Sequence, residues 1–360
     1  MTLEFKKAKK PYADYLMLNR KGCMELSGQK RVYVTRRLPE EAMRMLKLKF
    51  EVEVWTEDMP PPKNVIIEKV KEVDGLICLL TDKIDREVIE AAGPQFRGIS
   101  QVAVGFDNID VEAATERGIY VTNTPGVLTE TTADYAFALL MAVARRIAEA
   151  DRYVRSGKWK VPWGLMMLLG QDVWGKTIGI IGMGRIGSAV ARRAKGMNMR
   201  ILYYDIRRNE EAEKELGAKY VDLETLLRES DFVTIHVPLT PETRHLINEE
   251  RLKMMKRTAC LINTSRGPVV DEKALYKALK EGWIWAAGLD VWEEEPTSAD
   301  NPLLELDNVT ASPHIASASI ATRTRMAIMA VENMTAILEG RVPPNLVNKE
   351  VLKVRSPQDS

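Results

Sequence analysis

The sequence predicts an α/β chain built on two doubly wound parallel sheets. Three observations carry this. Five short β-branched runs between residues 31 and 121 alternate with helical segments across short links, which is the pattern of a parallel open sheet. A second set of about seven such runs begins at residue 177. Between them, the stretch 128–169 follows neither pattern. A chain of 360 residues is long enough for two domains, each with its own core.

The first unit opens with Arg31-Val-Tyr-Val-Thr35. A helix over 39–50 follows, with Pro39 at its start, where a missing N–H is tolerated. Strands over 52–55, 75–80, 98–102 and 118–121 alternate with helices over 64–72, 85–92 and 110–117. The result is a flavodoxin-like unit. Residues 129–156 then read as one long helix, opened by Thr129 and Glu130 and rich in Ala and Leu. Its position between two α/β units makes it a candidate hinge. The segment Trp159-Lys-Val-Pro-Trp163-Gly-Leu-Met-Met-Leu-Leu169 is apolar and matches neither flank. It is either a buried arm or an oligomer contact.

In the second unit, Thr177-Ile-Gly-Ile-Ile reads as a strand buried on both faces. It runs into Gly182-Met183-Gly184-Arg185-Ile186-Gly187, a G-x-G-x-x-G turn, and then into helical periodicity over 186–195. The next strand, 201–204, ends in Asp205, which lies 18 residues after Gly187 (205 − 187). Three glycines alone would be an ordinary βα turn. Strand, turn, helix, strand and acid in this order make a dinucleotide-binding fingerprint. Gly182 permits the tight turn, Gly184 the approach of a pyrophosphate, and Gly187 close helix–strand packing. The helix N-terminus offers unpaired N–H groups to phosphates. Strands over 220–221, 232–236, 259–263, 286–291 and 309–312 complete a Rossmann sheet. A final helix is expected over 315–339, followed by an irregular tail over 343–348. Residues 31–127 with 315–348 would then form one domain, into which a Rossmann domain at 128–314 is inserted.

Composition excludes several functions. A net charge of +1 argues against bulk binding to nucleic acid or a membrane surface. No apolar run approaches the ~20 residues of a membrane span. Cys23, Cys78 and Cys260 are isolated, with neither metal spacing nor a disulfide framework, so no metal and a reducing cytoplasm are expected. Residues 1–30 stand apart. Lys6, Lys7, Lys9 and Lys10 precede a segment with no regular period and no signal-peptide core. They read as a basic, disordered extension, or as a start assigned too early, with Met24 as the alternative first residue.

Ligands of open α/β sheets bind at the C-terminal ends of strands, so candidate chemistry is sought there. There are three histidines. His245 sits in a polar helical start and reads as a surface residue. His236 ends a strand and reads as a hydrogen-bonded wall residue. His314 follows a strand and Pro313, as a general acid at a crevice would. Arg266 lies just past a strand, beside a Gly-Pro turn, where a fixed guanidinium can hold a carboxylate bidentately. Four carboxylates, Asp290 and Glu293 to Glu295, follow another strand. Glu293 and Glu294 read as a solvated loop. Glu295, before Pro296, is a candidate partner for a histidine.

Gly182 to Gly187, Asn263-Thr-Ser-Arg266-Gly, Asp290-Val-Trp-Glu-Glu-Glu295-Pro, Ser312-Pro-His314-Ile and Val102-Ala-Val104-Gly105-Phe-Asp-Asn-Ile-Asp110 together resemble the D-isomer-specific 2-hydroxyacid dehydrogenases. Within that family they resemble the archaeal glyoxylate reductases of the glyoxylate/hydroxypyruvate reductase branch. The resemblance spans residues 31 to about 348. It implies that His314 donates a proton to a substrate carbonyl as hydride arrives from a nicotinamide. It implies that Glu295 hydrogen-bonds His314, and that Arg266 binds the substrate carboxylate and polarises the carbonyl. Backbone N–H groups of Val104 and Gly105 would bind the same carboxylate, and Leu80 would line the pocket.

The cofactor contacts implied are Gly184, Arg185 and Ile186 at the pyrophosphate, Asp205 at the adenosine ribose, Pro238 and Thr243 on the adenine side, and Thr264 and Asp290 on the nicotinamide side. Met183, Ile206, Arg207, Ser265, His314, Ile315 and Ala316 are implied as further cofactor contacts. Relatives often carry a Ser-Arg-Thr type sequence after the second strand, where this chain has Asp205-Ile-Arg207-Arg208. Asp205 favours NAD(H) by bonding both ribose hydroxyls and repelling a 2′-phosphate. Arg207 and Arg208 leave NADP(H) open. The resemblance also implies a homodimer in which Trp163 lines the partner's site, although simple packing of the arm accounts for it equally well. The implied reaction is reduction of glyoxylate, with hydroxypyruvate beside it. Lactate-type or bulkier 2-keto acids remain alternatives, as does a dinucleotide-sensing binding protein like the corepressor relatives.

Overall fold

The computed structural model describes residues 29–358. Residues 1–28, with Cys23 and the alternative start at Met24, lie outside the described residues. The first sheet has five strands: β1 (Arg31–Val34), β2 (Glu51–Val54), β3 (Gly75–Cys78), β4 (Gly98–Gln101) and β5 (Tyr120–Thr122). All pair in parallel, in the order β2-β1-β3-β4-β5, the flavodoxin-like order. Helices α1 (Glu40–Lys47), α2 (Lys63–Glu72), α3 (Arg86–Ala91) and α4 (Val111–Glu116) make the crossovers. β3 and β4 are buried along their whole length. β2, at the edge, instead exposes Glu51 and Glu53, charges that discourage pairing with another chain.

The second sheet has seven parallel strands: β6 (Thr177–Ile181), β7 (Arg200–Tyr204), β8 (Lys219–Tyr220), β9 (Phe232–Ile235), β10 (Cys260–Asn263), β11 (Ala286–Leu289) and β12 (Val309–Ala311). Their order is β12-β11-β10-β9-β6-β7-β8. The order reverses at β6, so the glycine turn stands at the switch point where such sheets bind ligands. Alternation along β6 sends Ile178 and Ile180 into one core with Leu139 and Val190, and Ile181 into the other with Leu226 and Leu261. Helices α7 (Arg185–Gly196), α8 (Glu210–Leu216), α9 (Leu223–Glu229), α10 (Glu249–Met254) and α11 (Glu272–Lys280) cover the two faces.

Two expected helices are corrected. The helix over 129–156 is broken into α5 (Thr129–Ala144) and α6 (Ile147–Arg155). Arg146, between them, adopts a left-handed backbone (φ 54°). Its guanidinium grips Glu149 at 2.6 and 2.7 Å and donates to the Leu169 carbonyl at 3.2 Å. The Gln171 N–H donates to the Ala144 carbonyl at 2.7 Å and caps α5. The returning arm thus ends a helix whose own periodicity runs on. The last helix, α12 (Ile320–Leu338), starts five residues later than the expected 315 (320 − 315). Ser319 caps it by accepting from the Thr322 N–H at 3.1 Å, and residues 315–319 serve another purpose, described below. β5 likewise begins at Tyr120 rather than Gly118.

α12 returns to the first sheet. Its Met326, Ala330 and Met334 share a core with Val32, Val34 and Ile77, and the Ser100 hydroxyl donates to the Ala330 carbonyl at 2.8 Å. α5 lies on the second sheet, packed against α7 and β11. Among the described residues no helix is long and apolar enough to cross a membrane.

The glycine turn is fixed by close approach. Gly182 has φ +95°, and a Cβ on Gly187 would stand 2.0 Å from the Gly182 carbonyl oxygen. A Cβ on Gly184 would meet nothing within 4 Å. Gly187→Ala is therefore expected to lose about 1–3 kcal/mol in chemical denaturation, while Gly184→Ala stays within about 0.5 kcal/mol of the parent. Equal effects of the two changes would contradict this packing.

Candidate functional site

The C-terminal ends of β3, β4, β11 and β12 line the site's cavity, and Arg266, after β10, with Val104 and Gly105, lies outside that lining. A cavity of about 600 Å³ opens between the two sheets, with Leu80, Thr81 and Val102 on one wall and Trp292, Glu295 and His314 on the other. His314 is held in a left-handed conformation (φ 54°). Its N–H donates to the Asp290 carbonyl at 2.8 Å. The Asp290 carboxylate is fully buried and accepts from the Ser312 hydroxyl (2.7 Å), the Ile315 N–H (2.9 Å) and the Ala316 N–H (2.7 Å). Asp290, Ile315 and Ala316 therefore shape the turn that aims His314, and this is why α12 begins late.

His314 Nδ1 lies 2.7 Å from Glu295 Oε2. Glu295 Oε1 accepts from the Trp292 N–H at 3.1 Å, and the Trp292 indole donates to the Ser312 carbonyl at 3.1 Å. A carboxylate at Nδ1 keeps a proton there, so the ring presents Nε2 for proton exchange. The expected Glu295–His314 pair is thus present, with both of its loops tied to each other.

Arg266 caps a short 3₁₀ turn after β10. Its Nη1 donates to the Ser265 carbonyl at 2.8 Å. Its Nε and Nη2 donate to Asp107 at 3.0 to 3.3 Å. Gly105 lies directly against this guanidinium, since a Cβ there would stand 1.7 Å from Nη2. Arg266 and Gly105 are therefore brought together as expected. Among the described residues the N–H groups of Val104 and Gly105 donate to no protein acceptor. Asp107 lies within the Val102–Asp110 segment, but its pairing with an arginine 159 residues away has no local signal.

A buried scaffold behind these loops also escaped sequence reasoning. The Asn108 amide donates to the carbonyls of Leu79 (3.1 Å) and Asp82 (2.8 Å). The Gln101 amide donates to Asn108 Oδ1 (2.7 Å) and to the Gly105 carbonyl (3.3 Å). Asp82, buried, accepts from the Thr35 hydroxyl (2.6 Å) and the Leu79 N–H (2.7 Å). The Leu80 loop and the Val104–Gly105 loop are thus one unit. The available signal was polar residues bracketing apolar strand ends, which periodicity does not interpret.

On the nucleotide side, Asp205 directly follows β7 and accepts from the Met183 N–H (2.7 Å) and the Arg207 N–H (3.3 Å). Ile206 is exposed. Arg208 is bound to Glu213 at 3.1 and 2.6 Å and lies 5.7 Å from the Tyr220 ring centroid. Arg185 opens α7, and Ile186 packs against a core cluster of each sheet. The Thr243 hydroxyl donates to the Pro238 carbonyl at 2.7 Å. Ser265 donates to Asn263 Oδ1 from both its N–H and its hydroxyl. The Thr264 hydroxyl is buried with no partner. Open space at Gly184, the start of α7 and an orphaned Thr264 hydroxyl fit a dinucleotide along this edge.

Elsewhere, His236 is bonded to the Thr234 hydroxyl at 2.9 Å, and desolvation lowers it to about 3, so the ring is neutral in ordinary buffers. His245 and Glu293 stay accessible to solvent, with 39% and 31% of their side chains exposed. Their side chains pair at 2.7 Å. Trp163 is 74% exposed on its arm and lies outside the cavity wall. Among the described residues no three His, Cys, Asp or Glu side chains gather as a metal set.

A family model described as "D-isomer specific 2-hydroxyacid dehydrogenase, NAD binding domain" matches residues 137–316. A glyoxylate reductase of Korarchaeum cryptofilum is 66% identical over 91% of this chain and 98% of its own length. One of Pyrococcus horikoshii is 58% identical over 91% of this chain and 98% of its own. Among solved structures, a Thermus thermophilus protein superposes with a TM-score of 0.83 at 49% identity, covering 88% of this chain and 99% of that one. An NADPH-dependent glyoxylate/hydroxypyruvate reductase of Sinorhizobium meliloti, solved with NADP and malonate, gives 0.77 at 32% identity, covering 90% and 98%.

The scaffold makes a distinct prediction. Asn108→Ala leaves the Leu79 and Asp82 carbonyls short of their donor. It is expected to destabilise the first domain by about 1–3 kcal/mol and to blunt activity through loosened loops. A variant with parental unfolding midpoint and parental kinetics would show that Asn108 holds nothing of consequence.

Proposed function

The chain belongs to the D-isomer-specific 2-hydroxyacid dehydrogenases, and from that premise we propose that it reduces glyoxylate, and hydroxypyruvate beside it, to the 2-hydroxy acid with NAD(P)H. The observation that carries this reading is the 2.7 Å Glu295–His314 pair on the wall of the cavity between the sheets. We assign residues 31–127 with 315–348 to the substrate domain and 128–314 to the nucleotide domain, in keeping with the return of α12 to the first sheet.

A bound reduced nicotinamide would supply the hydride. Arg266 binds the substrate carboxylate, with the Val104 and Gly105 N–H groups as further donors, and draws electron density toward the carbonyl oxygen. Asp107 holds the guanidinium in place from its other edge. His314 gives its Nε2 proton to that oxygen, so hydride and proton together convert C=O to CH–OH. Glu295 fixes the ring by accepting from Nδ1 and balances the imidazolium charge before transfer. Thr264, Ser265 and Asp290 would stand on the nicotinamide side. Gly184 to Ile186 would meet the pyrophosphate, and Asp205 to Arg207 with Pro238 and Thr243 would meet the adenosine, whereas Met183, buried with its N–H on Asp205, holds the turn instead.

NAD(H) is the favoured cofactor. Asp205 stands at the ribose position, and Arg208 is committed to Glu213 and Tyr220, which leaves Arg207 alone to offset a 2′-phosphate. We further propose a homodimer. The arm exposes Trp159, Trp163, Leu165 and Met166, an apolar set that a second copy would cover, carrying Trp163 to the cavity of the partner subunit. The buried free thiols of Cys78 and Cys260 suit a reducing cytoplasm.

Oxidation of NADH by purified protein with glyoxylate, followed by absorbance, tests the reading; binding of NADH without turnover of any 2-keto acid would refute it. His314→Gln is expected to lower kcat by about 10²–10⁴-fold while NADH affinity holds. Arg266→Lys keeps charge but loses the planar fork, so KM should rise more than kcat falls; parental kinetics would remove Arg266 from the site. Asp205→Ser should raise NADPH use relative to NADH, and an unchanged ratio would overturn the cofactor assignment.

A further inference from the structure

One cation on the cavity wall has no task in the mechanism above. Arg323, on the first turn of α12, lines the same cavity as Leu80, Thr81 and His314. Its side chain is half-buried, and desolvation lowers its pKa, opposed by the charge of Asp290. Among the described residues its guanidinium makes no hydrogen bond or ion pair, whereas Arg266 is tied to Asp107. A partly desolvated guanidinium without an acceptor is costly unless a ligand provides one.

The surroundings narrow what that ligand offers. Leu79, Leu80, Val102, Pro296 and Leu304 make the nearby wall largely apolar. The cavity, about 600 Å³, is larger than a two-carbon acid requires, so a substituent on the third carbon has room. A methyl group there would be received by the leucines. An oxygen there would find its hydrogen-bond donor in Arg323.

We propose that Arg323 is a specificity residue that binds an oxygen on C3 of the substrate, selecting 3-hydroxylated 2-keto acids over their 3-methyl counterparts. This rests on the functional reading given above. The competing role is structural. Arg323 faces the charge of Asp290, and through it the turn that holds His314. A residue acting only in that way would affect every substrate alike, including glyoxylate, which has no C3.

The test compares the parent, Arg323→Leu and Arg323→Lys on glyoxylate, pyruvate and hydroxypyruvate at saturating NADH, with NADH affinity as a check on folding. The Leu variant is expected to lose about ten- to hundred-fold in kcat/KM for hydroxypyruvate, mostly through KM. Glyoxylate and pyruvate should stay within about three-fold of the parent. The Lys variant, which keeps the charge on a shorter reach, should lose an intermediate amount on hydroxypyruvate alone, and it carries the same test should the Leu variant not fold. Parallel losses on all three substrates with an active parent would overturn the role of Arg323 and leave the reductase reading standing, as would an unchanged hydroxypyruvate-to-pyruvate ratio. A parent inactive on glyoxylate would overturn both.

Discussion

The buried carboxylate of Asp290 is the constraint on which the site depends. A charge removed from water must be met by donors, and here three donors come from the loop after β12: the Ser312 hydroxyl and the N–H groups of Ile315 and Ala316. Satisfying Asp290 bends the chain so that His314 takes a left-handed backbone, with its own N–H on the Asp290 carbonyl. Such a conformation costs a non-glycine residue of order 1–3 kcal/mol and persists only where neighbours over-determine it. The strand end of β11 thus fixes the histidine at the strand end of β12, and the same β11 loop supplies Glu295.

The two sheets divide the remaining work. The first sheet ends in the Leu80 and Val104–Gly105 loops, locked together by Asp82, Gln101 and Asn108. The second sheet carries the glycine turn at its switch point and the Arg266, Glu295 and His314 loops. Arg266 and Asp107 form a direct polar contact between the two sets of loops. The guanidinium edge that would face a substrate carboxylate is therefore positioned by the opposite sheet. α12 closes the arrangement by packing on the first sheet directly after the His314 turn, so movement of one unit against the other bears on the histidine.

Much of this was legible in the sequence. Strand positions followed from apolar β-branched runs because the strands other than β2, β8 and β12 are buried along most of their length. The glycine fingerprint was readable because Gly182 and Gly187 have local reasons to be glycine. Glu295 and His314 were readable as strand-end residues, and the resemblance to a family gave them roles. What escaped depends on distant partners. The break at Arg146 is made by the returning arm, whose Gln171 caps α5, and helical period carries no trace of it. The late start of α12 is set by Asp290, thirty residues earlier (320 − 290). The Asp107–Arg266 pair and the Asn108 scaffold join segments whose adjacency only the fold creates.

The central claim is that Glu295 acts through His314 rather than on the substrate itself. A double-mutant cycle in kcat/KM tests it most directly, using Glu295→Gln and His314→Gln singly and together with glyoxylate and NADH. The structure predicts that Glu295→Gln is harmful in the parent and without further effect once His314 is gone. The same loss from Glu295→Gln in both backgrounds would contradict it.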